Sequence, residues 1–156
     1  MPALAGTNPD VAPRLPLIVD RLRHEHGAFM HGDYSPKNLL VQRRDGASRP
    51  RVVVLDWEVA GAGDAVFDLA FLLTHIVAKS VHLRHAGDEF LELARAVMDE
   101  YGPVDEAWLT DLLGALLLAR VDGLSKLAYL SEPSRARLRR LGVALLLKDS
   151  DLPWRQ

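Results

Sequence analysis

The sequence predicts an α+β fold, mainly α-helical, in which one helix leads to a small β-hairpin bearing polar loops and then to a helical bundle. Apolar residues recur at helical spacing before residue 27 and again through the chain after residue 64. Between those stretches lie two short runs rich in branched apolar residues, bounded by turn-forming residues, which is the mark of strands. A length of 156 residues suits one domain with a real core, or one lobe of something larger.

Residues 1–14 hold Pro2, Gly6, Pro9 and Pro13 with little apolar periodicity, and are expected as a flexible lead-in. Leu15, Ile18, Val19 and Leu22 then predict a helix from about Leu15 to His26, stopped by Gly27. Ala28-Phe29-Met30 leads into a loop over His31–Asn38, where Pro36 blocks helix formation. Leu39-Leu40-Val41 and Arg51–Leu55 are the two strands, joined by Arg43–Ser48 with Asp45-Gly46 as the turn signal. A second loop covers residues 56–64 and includes Gly61-Ala62-Gly63, with Asp64 placed to cap the next helix. Val66–Val81 is apolar on nearly every face and predicts a buried central helix. Asp88–Tyr101 is amphipathic and ends at Gly102-Pro103. Asp105–Arg120 and Ser131–Lys148 complete a bundle over residues 64–148, with breaks near Asp122-Gly123 and Glu132-Pro133.

Composition excludes several function classes. Apolar residues make up 49% and charged residues 26%, the balance of an ordinary soluble protein. Lysine and arginine total 19 against 21 aspartates and glutamates, so no broad basic field exists and nucleic acid is not expected as a partner. The absence of cysteine rules out disulfides and thiolate metal sites and fits a reducing cytoplasm. The apolar stretches Leu112–Ala119 and Leu141–Leu147 fall far short of the roughly 20 residues that span a bilayer. The start, Met1–Gly6, lacks the basic segment and apolar block of a secretory signal. A cytoplasmic location without a membrane partner is expected.

The candidate chemistry lies in His31-Gly32-Asp33-Tyr34-Ser35-Pro36-Lys37-Asn38 and Val52-Val53-Val54-Leu55-Asp56-Trp57-Glu58. Phosphoryl transfer from ATP needs a carboxylate beside the acceptor hydroxyl and oxygen ligands to hold Mg²⁺ on the phosphates. A hairpin from 39 to 55 returns Asp56 to the neighbourhood of Asn38, so that those two share one metal ion while Asp33 faces the acceptor. Gly32 allows tight backbone geometry beside Asp33, and His31 is placed to brace the loop. Asp68 opens the buried helix, where a carboxylate usually caps backbone N–H groups of a neighbouring loop.

His31-Gly32-Asp33-x-x-x-x-Asn38, then Asp56, then Gly63-Asp64-x-x-x-Asp68-Leu69-Ala70 resemble the catalytic core of the aminoglycoside phosphotransferase and choline kinase family, small-molecule kinases with a protein-kinase-like fold. The resemblance covers roughly residues 15–148, with the specific motifs confined to 31–70. It implies the C-terminal lobe of that fold over 15–150, with ATP as co-substrate, Mg²⁺ as cofactor and an alcohol group as acceptor. It also implies Asp33 as catalytic base, Asn38 and Asp56 as magnesium ligands and Asp68 as the structural aspartate steadying the catalytic loop.

The chain departs from that family in one respect. Members carry an N-terminal β-rich lobe, with a phosphate-covering loop and a strand lysine, ahead of the His-Gly-Asp block. Here that block begins at residue 31. Gly61-Ala62-Gly63 comes after the catalytic acids, and Ile76-Val77-Ala78-Lys79 lies in a buried helical pattern on the wrong side of Asp33. A C-terminal lobe without its N-terminal lobe is therefore expected, as a shortened phosphotransferase acting on a small-molecule hydroxyl. The alternative is a catalytically inactive lone lobe, acting as an interaction module or homodimer, or as half of a split kinase whose N-terminal lobe is separately encoded.

Other residues have plainer roles. Lys37 is read as a solvated loop lysine, with phosphate contact as the other option, and Glu58 as a residue able to reach the metal or its water. His24, His26 and His31 sit close in sequence but lack the further ligands of a zinc site. His75, His82 and His85 are expected as satisfied or exposed histidines, and Arg135, Arg137, Arg139 and Arg140 as a solvated surface. The acids of the later helices, Asp88 to Asp111, are read as caps and solvated faces in preference to a pocket for a cationic acceptor.

Overall fold

The computed structural model describes residues 6–43, 46 and 49–155. Helix α1 (Arg14–His24) buries Leu15 and Ile18 and ends two residues before the expected boundary, because Glu25 is already extended. Within the expected lead-in, Asn8 and Val11 are buried, and Asn8 donates from Nδ2 to Asp122 Oδ2 at 3.2 Å. The packed part of the chain thus begins ahead of α1, because Val11 supplies apolar surface that the core takes up.

Two antiparallel two-stranded sheets come next. Strands β2 (Leu39–Gln42) and β3 (Arg51–Val54) form the expected hairpin in the register Leu39↔Val54 to Gln42↔Arg51. Its turn residues Arg44, Asp45, Ala47 and Ser48 lie outside the described residues. Strand β1 (Ala28–Met30) pairs with β4 (Gly61–Gly63), where the sequence suggests only loop. Gly63 permits this approach, since a Cβ there would lie 2.5 Å from Met30 Sδ. The second sheet therefore ties together the two ends of the segment that carries the polar loops.

The rest is a helical bundle. Helix α2 (Ala65–His82) starts at Asp64, whose side chain accepts from Val66 N–H at 2.8 Å. It buries Leu69, Ala70, Phe71, Leu73, Thr74, Ile76, Val77 and Ala78. Being apolar all round, it is long and apolar enough by composition to cross a membrane, yet here α3 (Gly87–Tyr101), α4 (Glu106–Asp122) and α5 (Glu132–Leu147) pack on it. Helices α4 and α5 approach most closely at Gly114 and Gly142. A Cβ on either glycine would sit 3.0 Å from the carbonyl oxygen of the other. Pro133 falls in the first turn of α5, where its missing N–H costs nothing, so it starts that helix.

Candidate active site

The loop from His31 to Asn38 is fixed from below by Asp68 in the first turn of α2. Its two carboxylate oxygens accept from His31 N–H at 2.6 Å and Gly32 N–H at 2.9 Å. Gly32 has φ +82°, and a Cβ there would meet the Val59 carbonyl at 3.0 Å. That combination of left-handed backbone and close neighbour suits glycine alone. His31 is buried and bridges the two halves of the site: its Nδ1 accepts from Asp33 N–H at 3.2 Å, so its Nε2–H donates to the Leu55 carbonyl at 2.8 Å.

Asp33 is thereby aimed outward between two partners. Lys37 Nζ lies 2.8 Å from Asp33 Oδ2, and Asn38 Nδ2 donates to the same oxygen at 3.1 Å and to the Asp33 carbonyl at 2.8 Å. Partial burial would raise the Asp33 pKa. The hydrogen bond and charge of Lys37, the Asn38 amide and the Arg120 charge outweigh it, so the carboxyl is held below its ordinary range.

The hairpin closes the constellation. Leu55 N–H donates to the Asn38 carbonyl at 2.8 Å, so the chain leaves β3 beside Asn38 and places Asp56 next. Asp56 has φ +67° and an exposed side chain that makes no hydrogen bond among the described residues. Asn38 commits its Nδ2 to Asp33, and its Oδ1 makes no hydrogen bond among the described residues. No three His, Cys, Asp or Glu side chains gather into a metal site among the described residues. An amide oxygen and a carboxylate nevertheless fit Mg²⁺, which takes one or two protein ligands and completes its shell with water and phosphate oxygens. Glu58 is exposed and lines the same cavity as Asp33, Lys37 and Asp56.

That cavity, about 440 Å³, has a second wall that sequence reasoning missed: Phe71 and His75 from α2, Arg120 from the last turn of α4, and Ser125, Lys126 and Leu127 beyond it. The Arg120 guanidinium lies over the Phe71 ring at 4.6 Å and donates from Nη1 to the Ser125 carbonyl at 3.0 Å. Burial, then the Arg120 charge, pushes His75 down to about 4, so it is neutral at physiological pH. A signal was available in part. Asp68, Phe71 and His75 fall on one stripe of a helix, and the stripe holding the loop-capping aspartate must face the loop.

The remaining candidates lie elsewhere. His24 and His26 are exposed, away from the cavity, and only His31 joins the site. Asp105 caps α4, Glu106 pairs with Arg155, and Asp111 pairs with Arg14 and Lys148. No acid from Asp88 to Asp111 lines the cavity. Arg139 grips Asp122 with two bonds of 2.9 and 2.7 Å, and Arg135 donates to the Leu127 and Leu130 carbonyls, so part of the arginine run ties α5 to its neighbours.

Among protein families, the model described as "Phosphotransferase enzyme family" matches residues 8–108. No curated protein matches the chain.

Proposed function

The chain belongs to the phosphotransferase enzyme family, and from that membership we propose that it carries the base-and-metal half of an ATP- and Mg²⁺-dependent kinase site acting on a hydroxyl of a small molecule. Its fold is then the C-terminal lobe of a protein-kinase-like enzyme. The observation that supports this best is the convergence of three separate segments, the His31–Asn38 loop, the first turn of α2 and the exit of the hairpin. Asp33 is positioned by Asp68 and His31, Asn38 is bonded to Asp33, and Asp56 is returned beside Asn38 by the hairpin.

In the reaction, Asp33 orients the acceptor hydroxyl and takes its proton. The acceptor oxygen forms a bond to the γ-phosphorus as the bond to the β,γ-bridging oxygen breaks, and that electron pair leaves with ADP. A carboxylate with a lowered pKa is ionised at neutral pH and so is ready to accept that hydrogen bond. Lys37, 65% exposed, swings away from Asp33 Oδ2 as the hydroxyl arrives. Asn38 Oδ1 and the Asp56 carboxylate would hold Mg²⁺, which when bound neutralises charge on the phosphate oxygens.

A second role is favoured by a specific surface. Phe29, Leu40, Val41, Val52, Leu55 and Trp57 are exposed around the two sheets, with Phe29 and Trp57 stacked at 5.9 Å. Such a surface suits cover by a β-rich partner lobe that would also clamp the nucleotide, making this chain half of a composite site.

Incubation with γ-labelled ATP, Mg²⁺ and a panel of hydroxyl compounds tests the assignment. Transfer is expected to fall by about 100-fold or more in Asp33→Ala and Asp56→Ala. Full transfer by either variant would remove the mechanism. Micromolar Mg²⁺–ATP affinity of the chain alone, measured by calorimetry, would count against the composite site.

A further inference from the structure

We infer that the cavity wall formed by Arg120 and Lys126 is a subsite for an anionic group, a carboxylate or phosphate, on the acceptor molecule. This inference rests on the phosphotransfer function proposed above and specifies its substrate class.

The first ground is a cation without a counter-ion in contact, its carboxylate neighbour Asp33 acting only at longer range. Arg120 is half-buried, and no carboxylate lies within 4.0 Å of it among the described residues. An anion in direct contact would offset the desolvation of such a guanidinium more fully than a carboxylate across the cavity. The second ground is geometry. Nη1 is held by the Ser125 carbonyl and the plane is fixed over Phe71, while Nε is shielded from water without a partner and Nη2 makes no hydrogen bond among the described residues. Nε being closed to solvent, Nη2 is the donor left open to a carboxylate or phosphate oxygen, in a charge-assisted bond. It is pre-set and unused.

The third ground is the surrounding charge. Lys126 is exposed on the same wall and forms no ion pair among the described residues. His75, beside Arg120, is neutral and so adds no competing charge. Across the cavity, Asp33 is balanced by Lys37, and Asp56 and Glu58 stand where a divalent ion would neutralise them. A cationic acceptor would face Arg120 and Lys126, both without an ion pair among the described residues, and none of the helical acids. Arg120 is anchored on Phe71 and Ser125, on the helical wall, whereas the proposed metal ligands Asn38 and Asp56 are carried by the loop and the hairpin, which favours the acceptor over the nucleotide phosphates. A compound carrying a hydroxyl and one anionic group, such as a small hydroxy acid or a sugar phosphate, fits about 440 Å³.

The test titrates the full chain with inorganic phosphate, acetate and choline, reading arginine Nε–H signals by NMR. A saturable shift at Arg120 is expected with phosphate or acetate, and none with choline; the two anions separate the phosphate and carboxylate sources. Arg120→Gln should weaken anion binding about tenfold or more, and Arg120→Lys should do so less, because lysine keeps the charge. Circular dichroism establishes that each variant is folded. No saturable shift with either anion, binding of choline in their place, or an Arg120→Gln variant that loses Mg²⁺–ATP affinity while still binding anions would overturn the subsite. Anion binding at Arg120 together with full transfer by Asp33→Ala would leave the subsite standing and remove the phosphotransfer mechanism instead.

Discussion

Asp68→Ala is the sharpest probe of how the loop is held. The substitution removes both acceptors of the His31 and Gly32 N–H groups, at 2.6 and 2.9 Å, and leaves the His31 amide in a residue only 2% exposed. Hydrogen bonds to a charged group contribute about 1.5–3 kcal/mol each. Two of them, lost together with their acceptor, amount to about 3–6 kcal/mol of a domain's typical 5–15 kcal/mol. With a urea slope of ~2 kcal/mol per molar for a chain of this size, the unfolding midpoint should fall by about 1.5–3 M. Asp68→Asn should lie between, since its oxygen keeps one bond while its NH₂ faces the other donor. Trp57 fluorescence tracks the transition, because that ring packs 4.7 Å from His31. Amide exchange at His31 and Gly32 should speed up in both variants. A loss below about 1 kcal/mol in Asp68→Ala, or an Asp68→Asn variant as stable as the parent, would refute the reasoning.

Lys37→Met should raise the Asp33 pKa, because the largest influence holding it down is removed while burial remains; an NMR titration of the Asp33 carboxyl reads this, and no upward movement would contradict the pairing. His75 has a folded pKa of about 4, below the ordinary 6.5, so its neutral form contributes stability that is complete above pH 6.5 and is lost as pH falls toward 4. That loss is on the order of 1–3 kcal/mol in urea unfolding at the two pH values, and it should shrink in His75→Gln. Gly142→Ala places a Cβ 3.0 Å from both the Gly114 carbonyl and Leu118 Cδ2. It should cost about 1–3 kcal/mol, read as a lowered Tm by calorimetry.

The parts of this molecule legible in its sequence are those that local pattern determines. Val66–Val81 shows a helix because apolar side chains run around all its faces, and the structure places α2 within a residue of that range at each end. The Leu39–Leu55 hairpin shows because two branched runs flank Asp-Gly, and its register delivers Asp56 to Asn38. Asp68 reads as the cap of a neighbouring loop from its place at a helix start; its oxygens hold the His31 and Gly32 amides. The illegible parts depend on distant segments meeting. Gly61-Ala62-Gly63 has no strand propensity of its own and becomes β4 only because Met30 packs where a Cβ would be. Val11 is buried because α5 lies alongside it, a fact no proline-rich window contains. Arg120 ends an apolar helix as many arginines do. Its meaning comes from Phe71 and His75, which are more than forty residues away in the chain.

Asp56 has one more consequence. Its left-handed backbone costs a non-glycine residue on the order of 1 kcal/mol, and its carboxylate makes no hydrogen bond among the described residues in return. Folding and chemistry therefore pull this single position in opposite directions, whereas at Gly32 and Asp68 they agree. Glycine at position 56 would relax the chain and, under the metal role proposed for Asp56, silence the site in one step.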